Sequence, residues 1–190
     1  MLTKGQRTKQ RIFDVAITLI KERGYDSVSV ADICEKADVA KGTFYVHYKA
    51  KEDIIRESYY SDMNIFIEQN YAAFVEANPN ATVLERLRKF LVLELVYSDY
   101  TGVEVTSRAF SANFAICSPG KSFHFEKRIF THILRELLDE SKIENREKAF
   151  LELETLVRGS MASWCCSGGA FSIVEMGSGL IDQYLETLFD

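Results

Sequence analysis

The chain has 190 residues, 47% hydrophobic and 27% charged, with only 10 Gly and 2 Pro. That composition excludes disordered, collagen-like and turn-rich β architectures and leaves enough chain to bury a core. The formal net charge of −5 is unevenly spread: residues 1–51 hold ten Lys/Arg against six Asp/Glu, leaving 13 against 22 for the rest. A basic head on an acidic body lets one end approach a polyanion, although an ordinary solvated helix surface gives the same count.

From Arg7 to Arg23, the apolar positions Ile12, Ala16, Leu19 and Ile20 recur at helical spacing, and Gly24 follows where a left-handed C-terminal cap belongs. Ser29, with Asp32 three residues on, opens a second helix of about two turns that carries Val30, Ile33 and Ala37. Asp38, Val39 and Ala40 interrupt it, and residues 41–48 form a third short helix. On that helix Ala40, Phe44 and Tyr48 point toward the other helices, while Gly42 and Val46 centre the outer arc. Lys41, Thr43 and Tyr45 flank the arc and His47 lies at its margin.

A long helix follows, from about Lys51 to about Ala77, with the stripe Ile55, Tyr59, Met63, Phe66, Tyr71 and Phe74; Asn78, Pro79 and Asn80 end it. Thr82 with Glu85, Ser141 with Glu144 and Ser172 with Glu175 are capping-box patterns that mark further helix starts. Breaks at Gly102, at Ser118, Pro119 and Gly120, and at Gly168 and Gly169 divide the remainder into about nine helices in all, with no convincing strand. The fold class is all-α.

Several functions are disfavoured. No apolar run approaches the ~20 residues of a membrane span and the N-terminus is polar, so a cytoplasmic chain with no membrane partner is expected. Four cysteines without a CxxC pair and three histidines without HExxH argue against a metal site, and no cofactor is expected. Cys165 and Cys166 serve either as small packing residues or as a redox pair. No Ser/His/Asp ordering, phosphate-cradling loop or metal spacing supports catalysis, so no catalytic residue is assigned.

Two short helices joined by a three-residue turn on a basic head form the helix-turn-helix pattern, in which the second helix enters the DNA major groove. The specific signal is Gly24-Tyr25-Asp26-Ser27-Val28-Ser29-Val30, then Ile33, Ala37 and Val39, then Lys41-Gly42-Thr43-Phe44-Tyr45-Val46-His47-Tyr48-Lys49-Ala50-Lys51-Glu52-Asp53. Over about residues 7–60 the chain closely resembles the DNA-binding head of the tetracycline-repressor (TetR) family of bacterial transcriptional regulators. It departs from the usual pattern at Asp38, commonly glycine, at Ala40, commonly serine, and at Tyr48, commonly phenylalanine.

The resemblance implies a DNA-binding domain over 1–50, with its recognition motif at 29–48, and a helical ligand-binding and dimerisation domain over 51–190. The implied protein is a homodimeric regulator, more often a repressor, that binds a pseudo-palindromic double-stranded DNA operator and is released by a small-molecule effector. Thr43, Tyr45 and His47 match positions that contact DNA, and Lys51 matches a phosphate contact; packing or a solvated face is the other reading of Tyr45 and His47. Gly42 lets backbone come close to DNA, and Val46 suits a thymine methyl. Lys41 flanks that surface. Ser29 either caps its helix or bonds a phosphate, and Arg7, Lys9 and Arg11 contact the DNA backbone or form a solvated face.

In the last helix the stripe Ile173, Ile181, Tyr184 and Leu188 passes through Gly177, beside Ser178 and Gly179. Glycines inside a helix cost about 1 kcal/mol each relative to alanine, which a close helix crossing explains. Gly177, Ser178, Ile181 and Tyr184 are therefore candidates for the dimer interface, in a two-fold bundle of 146–168 and 172–189; packing within the chain, or a kink, is the alternative. The middle of the chain is rich in aromatics, including Phe90, Tyr97, Tyr100, Phe110, Phe114, Phe123, Phe125, Phe130 and Trp164. Glu104 has Arg108 and Glu154 has Arg158 four residues on, whereas no basic residue stands three or four positions from Glu94 in its apolar run. Glu94 meets another helix, a ligand or solvent. With Tyr97, Phe110, Phe114 and Trp164 it makes up the candidate effector set, suited to a cationic or hydrogen-bond-donating apolar compound. The alternative is an all-α small-molecule-binding protein or enzyme that does not read DNA.

Overall fold

The computed structural model describes residues 3–116 and 129–189. Among the described residues lie nine α-helices and no strand: α1 (Lys4–Arg23), α2 (Val30–Lys36), α3 (Lys41–His47), α4 (Lys51–Ala77), α5 (Val83–Thr101), α6 (Val103–Ile116), α7 (Ile129–Ser141), α8 (Arg146–Cys166) and α9 (Ile173–Phe189). No described helix is long and apolar enough to cross a membrane. The break placed at Ser118 to Gly120, and Phe123 and Phe125, lie outside the described residues.

Two compact units make up the chain, one of Met1–Asp62 with Glu104–Ile116 and one of Met63–Val103 with Cys117–Asp190. The division drawn from sequence at residue 50 thus differs from the compact one, which falls inside α4 and gives most of α6 to the first unit. Polar ties account for this: the Tyr59 and Thr106 hydroxyls are hydrogen-bonded at 3.1 Å, and the Tyr25 amide donates to Glu104 Oε2 at 2.9 Å.

In the first unit, α1 begins three residues before the apolar spacing does. Thr3 and Gln6 form a capping box over a first turn that has no apolar residue to reveal it. Its inner face buries Ile12, Phe13, Ala16, Ile17, Leu19 and Ile20, and it ends at Gly24, whose φ of +78° favours glycine. Ser29 and Asp32 form the expected capping box on α2. The α2–α3 turn places Asp38 at φ +51°, a left-handed conformation that aspartate tolerates better than most residues, which explains a glycine preference there. Ala40 is the N-cap of α3, without a side-chain hydrogen bond, and it is exposed rather than turned inward. As an N-cap it precedes the first full turn, so helical spacing counted from Phe44 misplaces it.

In the second unit α5 packs on α7, α8 and α9. Its buried Phe90 stacks on Phe130 at 4.8 Å and meets the edge of Tyr71 at 5.3 Å. Thr82 with Glu85 forms a full capping box, and the Ser172 hydroxyl accepts the Glu175 amide at 3.2 Å. Ser141 and Glu144 do not start a helix: Ser141 is the last residue of α7, its hydroxyl donates to the Leu138 carbonyl at 2.7 Å, and Lys142 turns the chain with φ +59°. The expectation that Gly177 and Ile181 face a second copy is also corrected. Both are buried, and a Cβ on Gly177 would stand well inside van der Waals contact of Leu95 Cδ1 on α5. This glycine's close crossing is made within the chain.

Candidate nucleic-acid interface

The geometry of α3 is set by what it buries. Phe44 is fully buried, and Tyr48, at the extended C-cap, is almost so; their rings meet at 5.8 Å. The Tyr48 hydroxyl is 2.6 Å from Ser58 Oγ on α4 and 3.4 Å from the Lys9 carbonyl on α1, so the tyrosine that replaces phenylalanine has polar partners waiting for it. Burial is the main cause that pushes its phenol up to about 12.

With that face pinned, the opposite arc of α3 is open. Val46 is 80% and Tyr45 56% exposed, Lys41, Gly42 and Lys49 are exposed, and Thr43 and His47 are half-buried at the edges. The Tyr45 ring leans edge-on against Phe44 at 5.4 Å, which orients it without covering it. His47 sits beside the start of α1, its Cε1 3.9 Å from where a Cβ on Gly5 would be. Ser29 is exposed, but its hydroxyl accepts the Asp32 amide and donates to the Asp32 carboxylate. The cap bonds hold Asp32 below the usual carboxylate range. Lys9 lies 5.0 Å from the centre of the Tyr48 ring and 3.6 Å from Glu57, whereas Arg7 and Arg11 are exposed.

Lys51 stands differently from the phosphate contact that the resemblance implies. Its ammonium donates to the carbonyls of Tyr25 at 2.7 Å and Val28 at 2.8 Å, and lies 4.0 Å from the Tyr25 ring centre. The Arg108 guanidinium of α6 lies over the same ring at 3.6 Å and reaches Glu104 at 3.3 Å. Burial, with Glu52 next, raises the Tyr25 phenol to about 12. The helix pair Glu104–Arg108 read from spacing is therefore present and also serves the turn before α2. Its link to Tyr25 spans 79 positions, which no local pattern signals.

The candidate effector residues divide between the units. In the second, Glu94 is 3% exposed, Tyr97 is buried against the Phe66 ring at 5.5 Å, and the Trp164 indole donates to the Phe171 carbonyl at 3.0 Å. In the first, Phe110 and Phe114 meet at 5.9 Å, and Phe114 is 66% exposed. An open hollow of about 560 Å³ near the α4–α5 turn, lined by Phe74, Pro79, Arg88 and Lys89 among others, contains none of the five. On α9, Ser178 is half-buried and Tyr184 donates to Glu152 of α8 at 2.5 Å. The exposed surface of these helices is a different one, with Leu151 and Gly159 on α8 and Met176, Gly179 and Leu180 on α9.

Comparison with known proteins agrees with this head. The family model of bacterial regulatory proteins of the tetR family matches residues 12–57. The chain is 42% identical over 60 residues to the biofilm operon negative transcriptional regulator IcaR of Staphylococcus epidermidis, a match that takes in 32% of each protein. It is 24% identical to the transcriptional regulator AcrR of Shigella flexneri, over 96% of this chain and 90% of that one. In fold it is similar to the transcriptional regulator FadR from Bacillus subtilis, solved in complex with stearoyl-CoA, with a TM-score of 0.59 at 19% identity over 95% and 97% of the two chains. Residues 12–57 thus carry the head of the tetR family of bacterial regulatory proteins, and the body that follows has the all-helical fold seen in FadR.

Proposed function

We propose that the protein is a homodimeric repressor that holds a pseudo-palindromic operator through α3 and releases it when a small molecule binds the second unit. The observation that carries this reading is the two-sidedness of α3, with Phe44 and Tyr48 buried and Gly42, Tyr45 and Val46 open. Tyrosine and valine left bare beside Gly42 on a seven-residue helix make a face that fits a major groove. Lys41, Thr43 and His47 border the same surface. In this reading Lys51 acts by holding the Tyr25–Val28 turn, and Ser29 by capping.

Repression is supported by the name of IcaR as a negative regulator, and a small-molecule effector by the ligand that FadR holds. For the effector site we favour the buried Glu94 and Tyr97 of α5 with Trp164 of α8, leaving Phe110 and Phe114 as separate candidates. A second copy is proposed to cover the outer face of α8 and α9. Gly159 and Gly179 lie there, and a methyl group added at either would meet nothing within 4 Å, so packing within the chain does not call for glycine at these positions. No catalytic role is proposed.

The test is selection of bound duplexes from random DNA by the full chain. Enrichment of one sequence with two-fold symmetry is expected, since a symmetric dimer presents two identical helices. Weak, uniform binding would point to an architectural role, and no binding to an all-α small-molecule-binding protein or enzyme.

A further inference from the structure

The groups that α3 lacks are as informative as those it displays. Its sequence, Lys-Gly-Thr-Phe-Tyr-Val-His, contains no Arg, Asn, Gln, Asp or Glu. The two-pronged contacts that read guanine and adenine, and the acidic acceptors that suit cytosine, are therefore missing from this helix, apart from the single ammonium of Lys41. What it presents instead is an isopropyl group. Val46 is 80% exposed, the barest large apolar side chain among the described residues. An isopropyl group cannot hydrogen-bond, and the one apolar feature on the major-groove edge of the bases is the C5-methyl of thymine.

Gly42 stands four residues before Val46, on the same face of the helix. A Cβ built there meets nothing within 4 Å, so the protein's own packing has no need of the glycine. Gly177 is the contrast, since its Cβ would strike Leu95. An exposed helical glycine weakens the helix relative to alanine, and its reason must lie in what approaches from outside. A bare backbone at 42 lets α3 settle closer to the bases, and that brings the short Val46 side chain within reach of a methyl group.

We infer that the operator half-site is read mainly through thymine methyl groups: Val46 covers them, and Gly42 permits the approach. This rests on the operator-binding reading above. Tyr45, Thr43 and His47 supply single hydrogen bonds at the sides of the contact, which orient the helix.

The experiment takes the duplex selected by the full chain and replaces its thymines one at a time with deoxyuridine, which removes only the methyl group. Replacement at one position in a single half-site is expected to weaken binding about fourfold, and at the matching position in both half-sites about fifteenfold, the factors for losing one and two buried methyl contacts. Val46→Ala should bind more weakly and be indifferent to the same replacements. Gly42→Ala should melt at a higher temperature yet bind the duplex about tenfold or more weakly, a pair of changes that a purely structural glycine would not give. Specific binding that ignores every deoxyuridine, or that falls instead when 7-deazaguanine replaces guanine, overturns the inference and leaves operator binding standing. Weak, uniform binding to all duplexes overturns both.

Discussion

Lys51 shows how one amine can be asked to do two things. Two of its three N–H groups already go to the Tyr25 and Val28 carbonyls, within 2.8 Å of each. Hydrogen bonds from charged groups contribute about 1.5 to 3 kcal/mol each where they are shielded, and Lys51 is half-buried, so Lys51→Ala should cost about 2 kcal/mol in urea unfolding. The salt dependence of DNA binding distinguishes the roles: a lost phosphate contact makes the slope shallower by about 1, whereas loss of the clamp leaves it unchanged. We expect an unchanged slope. Tyr48 gives a pH-dependent counterpart. Its phenol ionises at about 12 in the folded chain, because of burial, and near 10 when unfolded. The stability tied to the protonated phenol is intact below pH 10 and is lost as pH rises from about 10 to 12, where only the unfolded chain gives up its proton. Tyr48→Phe should therefore flatten the alkaline fall in unfolding free energy over that window. An identical fall in both proteins would show that Tyr48 does not set it.

At the level of helices and turns, much was legible because caps and breaks are local. The starts at Ser29 and Thr82 and the stops at Gly24 and Gly102 follow from side chains three residues apart or from the need for positive φ. The failures have physical causes too. Ser141 carries the right letters for a cap, but its hydroxyl is satisfied one turn back by Leu138. Gly177 was legible as a close crossing, but spacing cannot say whose helix crosses, and the answer, Leu95, lies 82 residues away. For the site, the outward set on α3 was readable from a helical wheel once Phe44 was taken as buried. The fate of the Lys51 amine was not, because it depends on carbonyls that only the folded turn brings near. Two substitutions test these elements. Ala40→Ser should add the cap that α3 lacks and raise stability by about 1 kcal/mol in urea unfolding. Gly177→Ala should lower it by about 1 to 3 kcal/mol through overpacking against Leu95.

For the whole molecule, the proposed reading of a two-fold-symmetric operator needs two recognition helices held at a fixed separation, which makes the proposed dimer part of that reading. If the exposed face of Met176, Gly179 and Leu180 joins two copies, Leu180→Glu places a charge against an apolar partner, and sedimentation should then show a monomer with its helices intact. An unchanged dimer would move the interface elsewhere. The proposed effector obeys the same linkage: it would weaken DNA binding only by preferring the DNA-incompetent state, and DNA would then weaken the effector by the same factor. The central claim, that α3 reads an operator, is tested most directly by titrating the selected duplex with the wild-type chain and with Tyr45→Ala. Tyr45 is more than half exposed and its ring touches that of Phe44 only edge-on, so its loss should spare the fold and the dimer. With one hydrogen bond worth about 0.5 to 1.5 kcal/mol lost in each of two half-sites, affinity should fall at least fivefold, roughly. Equal affinity of the two proteins for that duplex would contradict the account.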